Sequence, residues 1–397
     1  MSWEVRVSSS LRPGEGRVRC SDDVGALHQP GRNRCPDRAL SRPAARSPSP
    51  AGPDSSVRTS SRPARARGHR VRMLVRDPAK AIRVRHMFGL DHDDGIEVVS
   101  AVLTDPVSVG AAIAGCDAIV HVAALFSLDP RHGDEMLRVN PAMSRAIISA
   151  SIDAELDAIV CVSTLGVYQP PPAPFVDASM PPSAGVGPYS HSKIAAEAIA
   201  REAQDAGHPV VTVYPGGIFG PNDPNPTLSD SVAVVRDILR WRLPTIPQGA
   251  VMPFIDVRDV AALCVSATAP GRGPRRYLAA GWPTELRDVV RMCAALTGRW
   301  LPMLPVSRGV LDATGRLADA VALRTNRQLP VSAETVAFMA VGLDHPDARY
   351  DQRPATDDFG VPSIELRTTL RDTILWLAEA GHLTQRHLGA LGVEATH

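Results

Sequence analysis

Apolar residues are grouped in two ways along the chain from about residue 68 onward. Short apolar runs, typical of strands buried on both faces, are separated by longer segments with helical spacing. Strands are predicted at residues 70–75, 96–99, 117–122, 158–163, 209–214 and 276–280, and the buried apolar runs among them are those at 117–122, 158–163 and 209–214. Because strands that alternate with helices indicate βαβ units, the pattern predicts an α/β fold with a doubly wound parallel sheet.

Helix signals fill the segments between these strands. Pro78 is suited to the first turn of a helix, and residues 104–108 resemble a helix cap. We expect helices at 104–113, 134–150, 189–206, 229–241, 285–296 and 366–381, with residues 301–340 mostly helical. The pattern loosens after residue 215, so we assign residues 68–215 to the sheet domain and 216–397 to a smaller mixed domain.

Residues 1–67 differ from the rest of the chain. They are rich in Arg, Pro and Ser, contain no Lys and show no sustained period. Such a segment buries too little apolar surface to offset its chain entropy, so we expect disorder. A basic arm for nucleic acid is the alternative, which the interleaved prolines and the few aromatic residues disfavour.

Composition excludes several classes of protein. The chain of 397 residues has 43 Lys and Arg against 42 Asp and Glu, which gives no electrostatic case for nucleic acid. Its six cysteines are scattered and form no Cys-x-x-Cys pair, which argues against a zinc site or a disulfide framework and fits a reducing compartment. No apolar run is long enough to span a bilayer, and the N-terminus lacks a signal-peptide core. We expect a soluble, cytoplasmic protein without a membrane partner.

Tyr189 and Lys193 lie four residues apart in the segment Gly-Pro-Tyr-Ser-His-Ser-Lys. On a helix this spacing places both side chains on one face. An ammonium beside a phenol lowers the pKa of the phenol, so Tyr189 could exchange a proton with an alcohol or ketone oxygen. Taken alone the pair is weak evidence, because a surface tyrosine beside a solvated lysine gives the same pattern.

Three of the predicted strands end in small or polar residues, where ligands bind in parallel sheets. Ala123 and Ala124 leave room for a flat ligand, although core packing explains them equally well. Thr164 or Ser163 could donate a hydroxyl to a substrate oxygen, or could simply cap a turn. Pro215 and the glycines after it force a tight turn that a ligand could approach closely.

In chain order these motifs resemble the extended short-chain dehydrogenase/reductase family. The resemblance rests on His-Val-Ala-Ala at 121–124, Val-Ser-Thr-Leu-Gly-Val-Tyr at 162–168, the Tyr189 and Lys193 pair, and Tyr-Pro-Gly-Gly-Ile-Phe-Gly-Pro at 214–221. It is closest to the NAD-dependent epimerase/dehydratase and dihydroflavonol-4-reductase-like branches, and it covers about residues 68–383. It implies a Rossmann-like dinucleotide-binding domain at 68–215 and a substrate-binding domain at 216–397.

The resemblance implies catalytic roles for three residues. Tyr189 would be the general acid/base, Lys193 would hold the ribose hydroxyls of a nicotinamide cofactor, and Thr164 would help to hold the substrate oxygen. Asn140 matches a supporting asparagine. The implied activity is that of an NAD(P)-dependent oxidoreductase acting on a ketone or secondary alcohol. A nucleotide-sugar epimerase or dehydratase and an inactive relative are the alternatives.

Further residues are implied to bind the cofactor. Ala123 and Ala124 would line its adenosine side, and Pro215 and Ile218 would contact the nicotinamide amide. Arg76 follows the strand whose end usually carries an acidic residue for the ribose 2′-hydroxyl. Because an arginine suits a 2′-phosphate, it favours NADP over NAD, unless it is only a solvated charge.

The sequence departs from the family before residue 68. The first strand and its Gly-x-x-Gly-x-x-Gly turn are missing there, and Ala101 and Val102 stand where an aspartate is usual. An abrupt Arg/Pro/Ser-rich stretch is what a GC-rich coding region gives when it is read out of frame. We hypothesise that the glycine-rich turn is lost in this way, which would leave the sheet without its central strand.

The substrate class is left open by the sequence. Phe126, Tyr168 and Phe219 suggest a partly apolar pocket for a small-molecule substrate, although core packing is the simpler role for each. The resemblance also implies a homodimer built from the helices that begin near Asp134 and Tyr189.

Overall fold

A computed structural model describes residues 4–8, 69–78, 96–127, 130–223, 228–243, 245–325 and 332–394, with the backbone alone at residues 4–8. All of these residues belong to one compact unit. Lys80 and the helix expected to continue from Pro78 lie outside the described residues.

The described residues form fourteen strands. They are β1 Glu4–Ser8, β2 Arg70–Val75, β3 Ile96–Ser100, β4 Ala118–His121, β5 Ala158–Val162, β6 Phe175–Val176, β7 Val210–Pro215, β8 Gly217–Phe219, β9 Thr245–Pro247, β10 Val251–Asp256, β11 Arg275–Ala279, β12 Trp282–Glu285, β13 Leu304–Val306 and β14 Arg349–Tyr350. Seven of them form the main sheet in the order β11-β7-β5-β4-β1-β2-β3.

Helices connect these strands. They are α1 Pro106–Ile113, α2 Gly133–Asp153, α3 Pro188–Asp205, α4 Asp230–Leu239, α5 Val257–Ser266, α6 Leu286–Thr297, α7 Arg308–Thr325, α8 Ala333–Asp344, α9 Arg353–Phe359, α10 Leu366–Glu379, α11 Gln385–Leu388 and α12 Ala390–Glu394. Short 3₁₀ turns lie at Pro130–His132 and Leu165–Tyr168.

The main sheet confirms the predicted fold class. Strands β2 and β3 are parallel, and so are β4, β5, β7 and β11, which places their carboxyl ends at one edge. All four residues of β4 are buried, as expected for a strand that is covered on both faces. The α1 helix begins after Asp105, whose carboxylate accepts hydrogen bonds from Val107 N and Ser108 N.

The central position of the sheet is filled by a strand that the sequence pattern did not predict. Strand β1 lies between β4 and β2 and runs antiparallel to both, with Glu4 opposite His121 and Leu74. The expectation that the sheet lacks a central strand is therefore wrong. A strand is favoured between β2 and β4 because the facing edges of these two strands would otherwise carry unpaired N–H and C=O groups.

The direction of β1 matters for the site. In a parallel arrangement the central strand would end at the carboxyl edge and lead into a turn and a helix N-terminus there. Because β1 is reversed, its first residue, Glu4, lies at that edge, and Ser8 lies at the opposite edge beside Arg70. Residues 9–68 lie outside the described residues.

Residues after 215 form smaller sheets and a helical cluster. The α6 helix, predicted at residues 285–296, ends at Gly298, which adopts the left-handed conformation with a φ of 64°. A second core joins α4, α6 and α10 and includes Val235, Val290 and Leu370. The α8 helix packs on α7 at Gly315, where a Cβ would lie 2.9 Å from Val336.

No helix among the described residues is long and apolar enough to cross a membrane. The expected homodimer through α2 and α3 stays a prediction, as do the domain boundaries at residues 68 and 215.

Candidate active site

The α3 helix carries the tyrosine and lysine that the sequence singled out. Its N-cap is Gly187, which has no side chain to satisfy the free N–H groups of the first turn. The hydroxyl of Ser190 is used on the loop before the helix, where it accepts hydrogen bonds from Val186 N at 2.8 Å and Gly187 N at 3.0 Å. The first turn of α3 therefore depends on a cap from elsewhere.

Lys193 connects α3 to the end of strand β5. Its side chain is only 8% exposed, and its ammonium Nζ donates to the carbonyl oxygen of Val162 at 3.0 Å. Burial lowers the pKa of Lys193 to about 8, although nearby Cys161 and Glu197 raise it. Because Val162 lies two residues before Thr164, this hydrogen bond holds the Tyr-x-x-x-Lys motif beside the end of β5, as predicted.

Tyr189 is half-buried, and its ring packs edge-on against Phe126 with centroids 4.6 Å apart. Burial raises the pKa of Tyr189 above its ordinary value, and the Glu334 carboxylate raises it further. This is opposite in sign to the lowered pKa expected from Lys193. The reason is that burial disfavours the charged phenolate, the charge of Glu334 adds to this effect, and the Lys193 ammonium is directed to the Val162 carbonyl.

Thr164 lies directly after β5 and caps the 3₁₀ turn that follows. Its Oγ1 accepts a hydrogen bond from Gly166 N at 3.1 Å, which is the capping role considered for it. The hydroxyl hydrogen is not used in that bond, so the same group can still donate to a substrate oxygen. Ser163 Oγ is buried and makes no hydrogen bond within the described part of the chain.

Asn140 holds the loop after β4 against the start of α3. Its side-chain amide bonds both the N–H and the C=O of Leu125, at 2.7 and 2.9 Å, and donates to Ser192 Oγ at 2.9 Å. Ser192 Oγ in turn donates to Tyr189 O at 2.7 Å. The supporting role that the resemblance implied for Asn140 therefore has a physical basis in the described contacts.

Glu334 is a residue of the site that the sequence reasoning missed. It lies in α8, and its Oε1 accepts hydrogen bonds from Tyr189 N at 3.0 Å and Ser190 N at 3.2 Å. In its own sequence, Ser-Ala-Glu-Thr at 332–335, it has the pattern of an ordinary acid in the first turn of its own helix. No local signal could reveal a partner about 145 positions away.

The predicted adenosine side lies at the ends of β4 and β2. Ala123 is buried in the core beneath the sheet, whereas Ala124 is half-buried at the strand end. Arg76 follows β2 directly and is exposed at the same edge. Ala124 and Arg76 thus lie at the edge of the sheet formed by the carboxyl ends of the strands, where a ligand was expected. Ala123 has the core-packing role that was the alternative for it.

The turn after β7 has a packing reason for its glycines. Pro215 is the last residue of β7, and Ile218 in β8 pairs with Ile255 of the parallel strand β10. A Cβ on Gly216 would clash with the carbonyl oxygens of Ala280 and Pro253. Glycine is therefore required here by the close approach of the chain's own backbone, whether or not a ligand also approaches this turn.

Three aromatic residues were considered for the substrate pocket. Tyr168 is fully buried, with its hydroxyl bonded to Arg201 and Ala178, and Phe219 is buried against Phe254. Core packing is confirmed for these two. Phe126 is different, because it is 40% exposed beside Tyr189 and can line a pocket.

A nicotinamide dinucleotide fits one half of this edge. Lys193 is buried and bonded to the strand end that leads to Thr164, and Tyr189 lies one helical turn before Lys193. Together these three side chains offer the donors that a ribose and a reacting oxygen require. At the phosphate half, the described residues offer no glycine-rich turn that leads into a helix N-terminus, because β1 is reversed. They also contain no group of three or more His, Cys, Asp or Glu that could hold a metal.

Comparison with known proteins agrees with the predicted family and fold. Residues 59–280 match the model of the NAD dependent epimerase/dehydratase family. A putative dihydroflavonol 4-reductase from Synechocystis is 25% identical over 335 residues, which cover 80% of this chain and 90% of that protein. Cinnamoyl-CoA reductase 1 from Arabidopsis thaliana is 30% identical over 244 residues, covering 58% of this chain and 68% of that protein.

One of the similar solved structures is a UDP-glucose-4-epimerase from Stenotrophomonas maltophila with bound NAD. It superposes with a TM-score of 0.58 at 19% identity and covers 77% of this chain and 88% of that one. At this identity the likeness shows the fold alone.

Proposed function

Because the chain belongs to the NAD-dependent epimerase/dehydratase family, we propose that it is an NAD(P)-dependent oxidoreductase that reduces a ketone or oxidises a secondary alcohol. The observation that carries the proposal is the hydrogen bond from Lys193 Nζ to Val162 O. It brings the Tyr189 helix to the strand end that carries Thr164. Reductases among the relatives support the same reaction class.

Each of the three side chains has a distinct task in this reaction. Tyr189 is protonated at neutral pH, because burial raises the pKa of its phenol, so it can donate a proton to the substrate oxygen. Thr164 donates its free hydroxyl hydrogen to the same oxygen and orients it. The bound nicotinamide supplies or accepts the hydride at the carbon.

Lys193 serves both the cofactor and the proton transfer. Its ammonium would bind the ribose hydroxyls of the cofactor. A pKa of about 8 lets the Lys193 amine gain or lose a proton near neutral pH, so it can take part in the proton transfer. Ala124, Pro215 and Ile218 would line the remaining cofactor surface. Arg76, exposed after β2, would bind a 2′-phosphate and so favour NADP.

Substitution of Tyr189 by phenylalanine tests the proposed reaction. The purified chain is titrated with NADPH and NADH by fluorescence, and cofactor oxidation is followed with a panel of ketones. Tyr189→Phe should lower kcat by a factor of about 10² to 10⁴, because the proton donor is lost, while cofactor affinity is nearly unchanged.

Tyr277→Phe is the matched control, because its hydroxyl bonds Asp358 on a different face of the sheet. That variant should keep full turnover. If ketone reduction survives in Tyr189→Phe, the proposed mechanism is wrong.

A nucleotide-sugar epimerase or dehydratase is the second candidate. The similar epimerase structure contains bound NAD, and the family includes such enzymes. This function predicts NAD that co-purifies with the protein and no net oxidation of added cofactor. An inactive relative, which the reversed β1 favours, predicts that neither NADPH nor NADH changes the fluorescence.

A further inference from the structure

Glu334 forms a long-range cap on the Tyr189 helix. It belongs to α8, its side chain is buried with 7% of the residue exposed, and its carboxylate lies on the N-terminus of α3. A carboxylate is well placed there, since the helix N-terminus carries free N–H groups and a partial positive charge. The backbone position of Tyr189 therefore depends on a residue of a different helix.

Gly187 makes room for this carboxylate. A Cβ at this position would lie 2.6 Å from Glu334 Cδ and 2.8 Å from Glu334 Oε1. The backbone of Gly187 is extended, with a φ of 179°, so its conformation does not require glycine. Space for Glu334 is the physical reason that no side chain fits here.

The same helix also touches the turn that holds Thr164. Phe338 lies one helical turn after Glu334, and its ring is 3.3 Å from where a Cβ on Gly166 would lie. Gly166 N is the donor to Thr164 Oγ1. One helix, α8, thus contacts the segments of both proposed catalytic hydroxyls.

We propose that Glu334 is a positioning residue for the reaction, because its carboxylate fixes the first turn of α3 and so sets where Tyr189 lies relative to Thr164. The inference rests on the proposed function, in which Tyr189 is the proton donor. It assigns α8, through Glu334 and Phe338, to the alignment of the two hydroxyls.

The charges around Glu334 define what a titration should show. His191 on α3 and Asp319 on α7 act on Glu334 in opposite directions, and burial raises the pKa of its carboxyl. Lys193 lies one turn after Tyr189, with its ammonium on Val162 O. Glu334 is the charged group that raises the pKa of Tyr189, so removing its charge should lower that pKa.

The first experiment needs neither substrate nor cofactor. The absorbance of tyrosinate is followed against pH in the whole protein and in Glu334→Gln, each minus its Tyr189→Phe counterpart. In Glu334→Gln the amide oxygen still accepts the helix N–H groups, so the fold should be kept and the Tyr189 midpoint should move to lower pH. An unmoved midpoint in a folded Glu334→Gln protein would overturn the electrostatic part of the inference.

The second experiment tests position rather than charge. Glu334→Ala should lower kcat by about ten- to hundredfold with little change in KM, as expected for a displaced acid. Gly187→Ala should have a similar effect, because its methyl group pushes the carboxylate away. In the Glu334→Ala background, Gly187→Ala should change kcat by less than about twofold, because the carboxylate is already absent. Additive effects of the two substitutions would contradict the positioning role.

Asp105→Ala provides the control for a merely structural cap. Asp105 caps α1 in the same way, so its loss should lower the melting temperature and leave the tyrosinate midpoint in place. The tyrosinate titration stays informative if Tyr189→Phe proves active, so failure of the proposed reaction and failure of this inference are distinguishable.

Discussion

The two ends of the proposed cofactor site are built in different ways. At the nicotinamide end, Tyr189 and Lys193 are held by contacts from β5, α2 and α8. At the phosphate end, the central position of the sheet is occupied by β1, which runs against its neighbours. The nicotinamide end therefore holds hydrogen-bond donors in fixed positions. The phosphate end has Glu4 at the place where a helix N-terminus would face the pyrophosphate of a dinucleotide.

This difference indicates that the nicotinamide end can be formed without the phosphate end. The described contacts that fix Tyr189 and Lys193 lie within residues 125–334. Chemistry and cofactor anchoring can therefore be tested independently. We expect the nicotinamide end to be competent and the phosphate end to limit binding.

Restoring the missing turn should have the largest effect on binding. Residues 1–67 are replaced by a parallel first strand, a Gly-x-x-Gly-x-x-Gly turn and a helix of the family type. Two regained hydrogen bonds to phosphate contribute about 3 kcal/mol, so NADPH should bind about a hundredfold more tightly by fluorescence titration.

A second chimera, with valines at the turn glycines, keeps the new strand and blocks close approach of the phosphate. It should bind no better than the chain as it stands. Equal affinity in all three proteins would show that β1 does not limit binding.

Lys193→Met should stabilise the nicotinamide end in a pH-dependent way. The folded-state pKa of Lys193 is about 8, below the ordinary value of about 10.4, so the unfolded chain binds its proton more tightly. Burying this charge therefore destabilises the fold at pH 7, and the penalty disappears as pH rises from about 8 to about 10.4. After allowing for the lost bond to Val162 O, we expect a gain of about 2 kcal/mol at pH 7 by urea unfolding.

That gain should shrink toward zero, or reverse, near pH 10. The sequence has only one other lysine, Lys80, so Lys80→Met is the control for the loss of a lysine charge in itself. A constant difference between Lys193→Met and the wild type at all pH values would mean that the pKa of Lys193 is ordinary.

The sequence alone predicted the nicotinamide end far better than the phosphate end. Continuous apolar runs located β4 and β5 within a residue or two, because strands buried on both faces leave a strong local signal. The five residues of β1 alternate polar and apolar, but so short a pattern within an Arg-rich segment has little weight. Its direction is set by the neighbouring strands and cannot be found locally.

The electrostatics of the site were the least predictable part. The spacing of Tyr189 and Lys193 correctly suggested one helix face, yet the pKa of Tyr189 moves opposite to the expected direction. That direction is set first by burial and then by the charge of Glu334, which is 145 positions away in the sequence. Motif spacing therefore predicts which side chains share a helix face, while burial and long-range packing decide their protonation.

Arg76→Ala should have the smallest effect and tests the adenosine side of the phosphate end. Arg76 is exposed, so one charge-assisted contact to a 2′-phosphate contributes about 1.4 kcal/mol, or about tenfold in Kd. In the chimera with the restored turn, NADPH should bind about tenfold more weakly and NADH about equally well. Arg70→Ala, an exposed arginine at the opposite end of β2, should change neither affinity. Equal losses for both cofactors would show that Arg76 does not read the 2′-position, and the preference for NADP would have to come from another residue.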